Sequence, residues 1–112
     1  MLSFKKLNVY QFSIKFLKIA FDINASLPRG HAKLADQLKR GAMSIPLNIA
    51  EAAGKVSPAE ASHHYAIARG SAMECSAVLD VIRTANLLKE PRLEAGDEIL
   101  IRVVAMLTKM CR

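Results

Sequence analysis

Residues 7–25 read LNVYQFSIKFLKIAFDINA. Leu7, Tyr10, Ile14, Leu17 and Phe21 recur at alternating spacings of three and four, the repeat that places side chains along one face of an α-helix. Val9, Phe12, Phe16, Ile19 and Ile23 form a second row with the same repeat. At 100° per residue the two rows lie about 160° apart around the axis. Only the arc holding Asn8, Gln11, Lys15, Lys18 and Asp22 is polar. The core of a monomeric bundle covers one apolar row and leaves the other in water, an arrangement that soluble proteins seldom keep. The stretch therefore predicts an all-α protein that associates with itself through its first helix.

Outward from this segment, the punctuation predicts three more helices. Pro28-Arg29-Gly30 breaks the chain. A second helix is expected over residues 31–53, burying Leu34, Leu38, Ala42, Ile45, Ile49 and Ala52 and stopping at Gly54. Pro46 lies inside that span. It removes a backbone donor and crowds the Ala42 carbonyl, so a kink is expected there. Ser57-Pro58-Ala59-Glu60 is a helix start: Ser57 caps, Pro58 suits the first helical position, and Glu60 can complete a capping box. The third helix should run to about residue 88, ended by Glu90-Pro91. Its stripe of Ala61, Ala68, Ala72, Cys75, Leu79 and Ile82 is rich in small residues, so the facing helix can come close, with Gly70 helping. The fourth helix is expected over residues 93–110, burying Ile99, Leu100, Val103, Met106, Leu107 and Met110, with Glu98 and Arg102 as an exposed pair. Short connections make consecutive helices antiparallel neighbours. The expected fold is a single up-and-down four-helix bundle domain over residues 1–112.

Composition agrees with a helical globule. The chain is 52% hydrophobic with only 5 Gly and 4 Pro, which excludes low-complexity and disordered classes. Its length allows roughly two-thirds of the unfolded surface to be buried without metals or disulfides. Cys75 and Cys111 lack metal or redox spacing, no secretory leader pattern opens the sequence, and Lys15, Lys18 and Asp22 interrupt the most apolar segment. A soluble, cytoplasmic protein with reduced thiols is expected. The whole net charge of +6 falls in residues 1–55, and residues 56–112 sum to zero. Such an imbalance points to an acidic partner such as nucleic acid.

Two blocks carry a resemblance. Leu38-Lys39-Arg40-Gly41-Ala42-Met43-Ser44-Ile45-Pro46-Leu47-Asn48-Ile49-Ala50-Glu51 and Ile67-Ala68-Arg69-Gly70-Ser71-Ala72-Met73-Glu74 resemble the paired motifs of the bacterial 23S rRNA intervening-sequence proteins. Gly41 stands where that family usually has Ala, and Ala52 where it usually has Gly. The resemblance implies a four-helix bundle that assembles as a homopentamer. It also implies kinship with the accessory variability determinant of diversity-generating retroelements, a basic bundle that binds nucleic acid and a reverse transcriptase.

On the second helix Lys33, Gln37, Arg40, Ser44, Asn48, Glu51 and Lys55 form one polar row. The row either tracks a phosphate backbone or is the solvated face of an amphipathic helix. With Lys15 and Lys18 of the first helix, Lys33, Arg40 and Lys55 are the candidate nucleic-acid contacts. Arg40, Asn48, Glu51, Arg69 and Glu74 are the polar members of the two blocks. Paired carboxylates can serve acid and base chemistry, but Glu74 shares its arc with Ile67, Ser71, Val78 and Val81. Its charge is therefore expected to need Arg40 or Arg69, across helices or subunits, in a structural ion-pair network. Asn48 is expected to satisfy a carbonyl freed at the kink. Glu60 and His63 have the spacing of one half of a di-iron motif without the other half, and His31, His63 and His64 lack a completing ligand. Cys75 falls on the core stripe and is expected to be inert. No catalytic residue, metal or cofactor is expected. The function expected is that of a non-enzymatic, homo-oligomeric nucleic-acid-binding accessory protein. The alternative is a scaffold that binds another protein, such as a reverse transcriptase or ribosomal component.

Overall fold

The computed structural model describes residues 2–112 as a short 3-10 turn, Ser3–Lys6, followed by α1 Asn8–Ser26, α2 Ala32–Ala53, α3 Pro58–Thr84 and α4 Glu90–Met110. Each helix packs against two others, α1 on α2, α2 on α3, α3 on α4 and α4 back on α1. The backbones of α1 and α3, and those of α2 and α4, stand apart across the core. The result is an antiparallel up-and-down four-helix bundle, 44 × 27 × 22 Å.

The two apolar rows of α1 meet different fates. Val9, Phe16 and Ile23 are buried, together with Ser13 and Ala20 between them. Ser13 enters the core because its hydroxyl donates to the Tyr10 carbonyl at 2.6 Å, which satisfies its proton. From the other row, Ile14 and Phe21 remain 40% and 44% exposed. On α2 the expected stripe is buried except for half-buried Leu34, and Pro46 is buried as well. On α3 all of it is buried but Ala61, which is half-buried. On α4 the buried face is Leu93, Gly96, Leu100, Val103 and Leu107, while Ile99, Met106 and Met110 are half-buried at its edge.

The ends of α3 and α4 differ from the sequence expectation. Helix α3 stops at Thr84 because Asn86 takes a left-handed φ of 56°. The Leu87 N–H then bonds the Ile82 carbonyl and the Asn86 N–H that of Arg83, the bonding pattern of a Schellman stop. Glu90-Pro91 opens α4 instead of ending α3: proline fits the first turn, where no intrahelical donor is needed. At the start of α3 the Ser57 Oγ accepts the Glu60 N–H at 3.4 Å, and Glu60 makes no return bond. Helix α2 continues through Pro46 to Ala53. Asn48 donates to the carbonyl of Ser44 at 2.9 Å rather than to that of Ala42, the one Pro46 leaves without its usual donor.

Arg83 fixes the α3–α4 corner. Its guanidinium reaches Asp80 at 2.6 Å, Asp97 at 2.7 Å and Glu90 at 2.8 Å. The bond from Arg83 holds the Glu90 carboxyl below its ordinary pKa, and the bonds to Glu90 and Asp97 raise that of Arg83. Glu98 and Arg102 do not pair. Arg102 lies instead over the Phe12 ring, 5.3 Å from its centroid.

Candidate functional site

Gly41 decides how closely α2 and α3 approach. A Cβ on this residue would lie 2.8 Å from the Cys75 Sγ and 3.5 Å from the Glu74 Oε1, so only glycine lets the α2 backbone rest on these side chains without a shift. Gly70, expected to have this role, is exposed and has no atom within 4 Å of the place a Cβ would take. Burial first, and the charge of Glu74 second, push the Cys75 thiol up to about 12. It is therefore protonated at neutral pH and a poor nucleophile.

Beside Gly41 runs a chain of hydrogen bonds between the two helices. The Ser71 hydroxyl donates to the Ser44 Oγ at 2.8 Å, and the Asn48 Nδ2 donates to the same oxygen at 3.0 Å. Since the Ser44 carbonyl can only accept, the nitrogen of Asn48 faces Ser44 and its Oδ1 faces His64. The His64 Nδ1, 3.2 Å from that oxygen, is then the donor. The chain opens into a groove of about 280 Å³ lined by Gln37, Arg40, Gly41, Ser44, Ser71 and Glu74.

The five candidate phosphate contacts do not gather into one patch. Lys15 lies over the Phe12 ring at 5.2 Å, the ring that Arg102 of α4 also covers, and Lys18 is exposed on the polar arc of α1. Lys33 and Arg40 are exposed on α2, where Arg40 pairs with Asp36 at 3.1 Å. Lys55 pairs with Glu51 at 3.4 Å. Exposed pairs one turn apart contribute little and exchange readily.

Nor do Arg40, Asn48, Glu51, Arg69 and Glu74 form an ion-pair network within the chain. Arg40 and Glu51 take the partners just named, and Arg69 donates to the Thr108 Oγ1 at 2.8 Å, tying α3 to α4. Glu74 is exposed and makes no hydrogen bond or ion pair among the described residues. A carboxylate in water needs no buried partner, which removes the reason for expecting one. Sequence reasoning missed Ser44 and Ser71 as a bonded pair, His64 as a member of the chain, and Arg102 as a second cation on Phe12. The two serines stood in the quoted motif blocks, and that was the signal.

Two apolar grooves lie on opposite sides of the square. One, between α1 and α2, is lined by Phe4, Tyr10, Ile14, Leu17, Met43 and Leu47, with Leu47 62% exposed. The other, about 570 Å³ between α3 and α4, is lined by Met73, Ile101 and Val104 and rimmed by Asp80 and Asp97. No group of three His, Cys, Asp or Glu side chains able to hold a metal occurs among the described residues. No helix among them is long and apolar enough to cross a membrane.

A smaller apolar groove of about 240 Å³ lies between α1 and α4 beside Leu7, Val9, Met106 and Met110. These features define a four-helix bundle with polar chemistry at the α2–α3 seam and apolar grooves on its outer faces. The model of the 23S rRNA-intervening sequence protein family matches residues 5–109, and the chain belongs to that family. The fold is also that of a crystal structure from Bacteroides thetaiotaomicron VPI-5482, described as a protein with unknown function from the S23 ribosomal protein family. The match has a TM-score of 0.86 at 20% sequence identity, over 93% of this chain and 98% of that one. No curated protein matches the chain.

Proposed function

We propose that the protein is a non-enzymatic accessory factor that assembles into a homo-oligomeric ring and contacts RNA or DNA through its basic first half. The observation that carries the reading is the pair of apolar grooves on opposite faces. A groove on one face and a different groove on the other suit a head-to-tail contact, which closes into a ring when the rotation per subunit allows. The family resemblance supports five subunits and kinship with nucleic-acid-binding accessory proteins. In such a ring the separated cations, Lys15 and Lys18 on α1 and Lys33, Arg40 and Lys55 on α2, recur around the circle and supply the phosphate contacts that one chain does not gather.

Light scattering of the purified protein should give a mass several times that of the chain. Titration of labelled single-stranded RNA and duplex DNA should show affinity falling about a hundredfold and about five-hundredfold, respectively, between 50 and 200 mM salt, the slopes expected for about five neutralised phosphates. A stable monomer contradicts the assembly, and no binding at low salt contradicts the nucleic-acid role. A second reading, a scaffold for another protein, draws on the pairing of Arg40 and Lys55 with Asp36 and Glu51. It predicts a ring that ignores both nucleic acids.

A further inference from the structure

We propose that the groove between α2 and α3 receives an unpaired guanine base, which rests on the nucleic-acid reading above. Among the described residues, Glu74 is the lining side chain that carries a charge and has no partner, and a carboxylate only accepts hydrogen bonds. Ser71 has directed its proton to Ser44 and so offers lone pairs to the groove. Ser44, accepting from both Ser71 and Asn48, keeps its own proton to donate. Gln37 adds an amide with both functions, and Arg40 stands ready for a phosphate once it leaves its exposed pair with Asp36. The groove thus has an accepting wall on α3, Glu74 and Ser71, and a donating wall on α2, Gln37 and Ser44.

Guanine matches this polarity. It alone among the four bases presents two adjacent N–H donors, N1–H and the N2 amine, on one edge, with the acceptors O6 and N7 beyond. A carboxylate takes the two donors together. Adenine and cytosine turn a ring-nitrogen acceptor toward Glu74 beside their amine, and uracil offers one N–H between two carbonyls. The groove of about 280 Å³ has room for a single purine, and Gly41, closed against the Cys75 sulfur, forms part of its lining.

The test is fluorescence anisotropy at low salt with labelled oligouridylates of one length, carrying a single central guanine, adenine, inosine or uridine, and with the matching deoxy series on a thymidine background. Guanine should tighten binding about tenfold over adenine and uridine in both series, since the base edge is shared, and inosine, which lacks the N2 amine, should fall between. Glu74→Gln should bring the guanine oligonucleotide down to the affinity of the all-uridine one, and Gln37→Ala should lower it severalfold. Both side chains are exposed, and thermal melting by circular dichroism confirms that each variant folds. Equal, salt-sensitive binding of all four oligonucleotides overturns the guanine groove and leaves the nucleic-acid reading standing. Failure of every oligonucleotide to bind overturns both, and a guanine preference that survives Glu74→Gln overturns the assignment to this groove.

Discussion

The α2–α3 seam and the outer α1–α2 groove share one helix and are opposite in character. At the seam Gly41, Ala42, Ala68, Ala72 and Cys75 bring two backbones together, and the serines and Asn48 bond one another. At the outer groove Met43 and Leu47 of α2 face water beside Ile14 of α1, although Ile45 and Ile49 on the same helix are fully buried. Hydrophobicity alone does not decide burial. A side chain is buried when the chain supplies a neighbour for it: Leu7, Tyr10 and Leu17 of the outer α1 row are half-buried against the core, while Ile14, Met43 and Leu47 stay exposed.

The sharpest way to break this contrast is to truncate both sides of α2. Ile49→Ala should cost about 2–5 kcal/mol in chemical denaturation, independent of protein concentration. Leu47→Ala should stay within about 0.5 kcal/mol for the dissociated protomer and show its effect only as concentration-dependent loss of assembly. Equal, concentration-independent losses would erase the distinction. Next in size, Gly41→Ala should destabilise by about 1–3 kcal/mol through the contact with the Cys75 sulfur. Cys75→Ala in the same chain should restore much of that, and a double-mutant cycle reads the coupling. Additive losses would show that the sulfur does not set the approach of the helices. Gly70, in the open, should behave in reverse: Gly70→Ala should raise thermal stability by about 0.5–1 kcal/mol, because glycine inside a helix gives up more backbone freedom on folding.

The smallest effect concerns the Cys75 thiol. Its folded pKa of about 12 exceeds the ordinary value of 9.0, so the neutral thiol is favoured by folding. That contribution is complete below about pH 9 and is lost as pH rises toward 12. A thiol-reactive dye at neutral pH should therefore label half-buried Cys111 first and Cys75 only after unfolding. Rapid native labelling of Cys75 would mean that the seam opens.

Much of the fold was legible because each helix carries its own period. The inner faces of α1, α2 and α3 follow from residues a turn apart, and the row of α1 that leaves Ile14 and Phe21 exposed could be read from residues 7–25. The α3–α4 corner was misread for a local reason. Proline signals both the end of one helix and the first turn of the next, and Asn86, which enters the left-handed conformation, was the residue that stopped α3. The site was less legible, because spacing shows which residues share a helix face but not what another helix brings to it. Arg40 and Glu51 found partners one turn away, while Ser44 met Ser71 across the seam. Glu74 had no partner to find.

The cyclic order in which the helix backbones adjoin bears on how the chain reaches its native state. Three of the four seams join consecutive helices across short connections, so closing them restricts little chain and favours rapid, local folding. Only the α1–α4 seam joins distant parts of the sequence. Its closure completes the core, but it covers none of the groove that α1 forms with α2. Ile14 and Leu47 are therefore open to collision from the moment a protomer folds, and the concentration of folded chains sets how quickly they are covered.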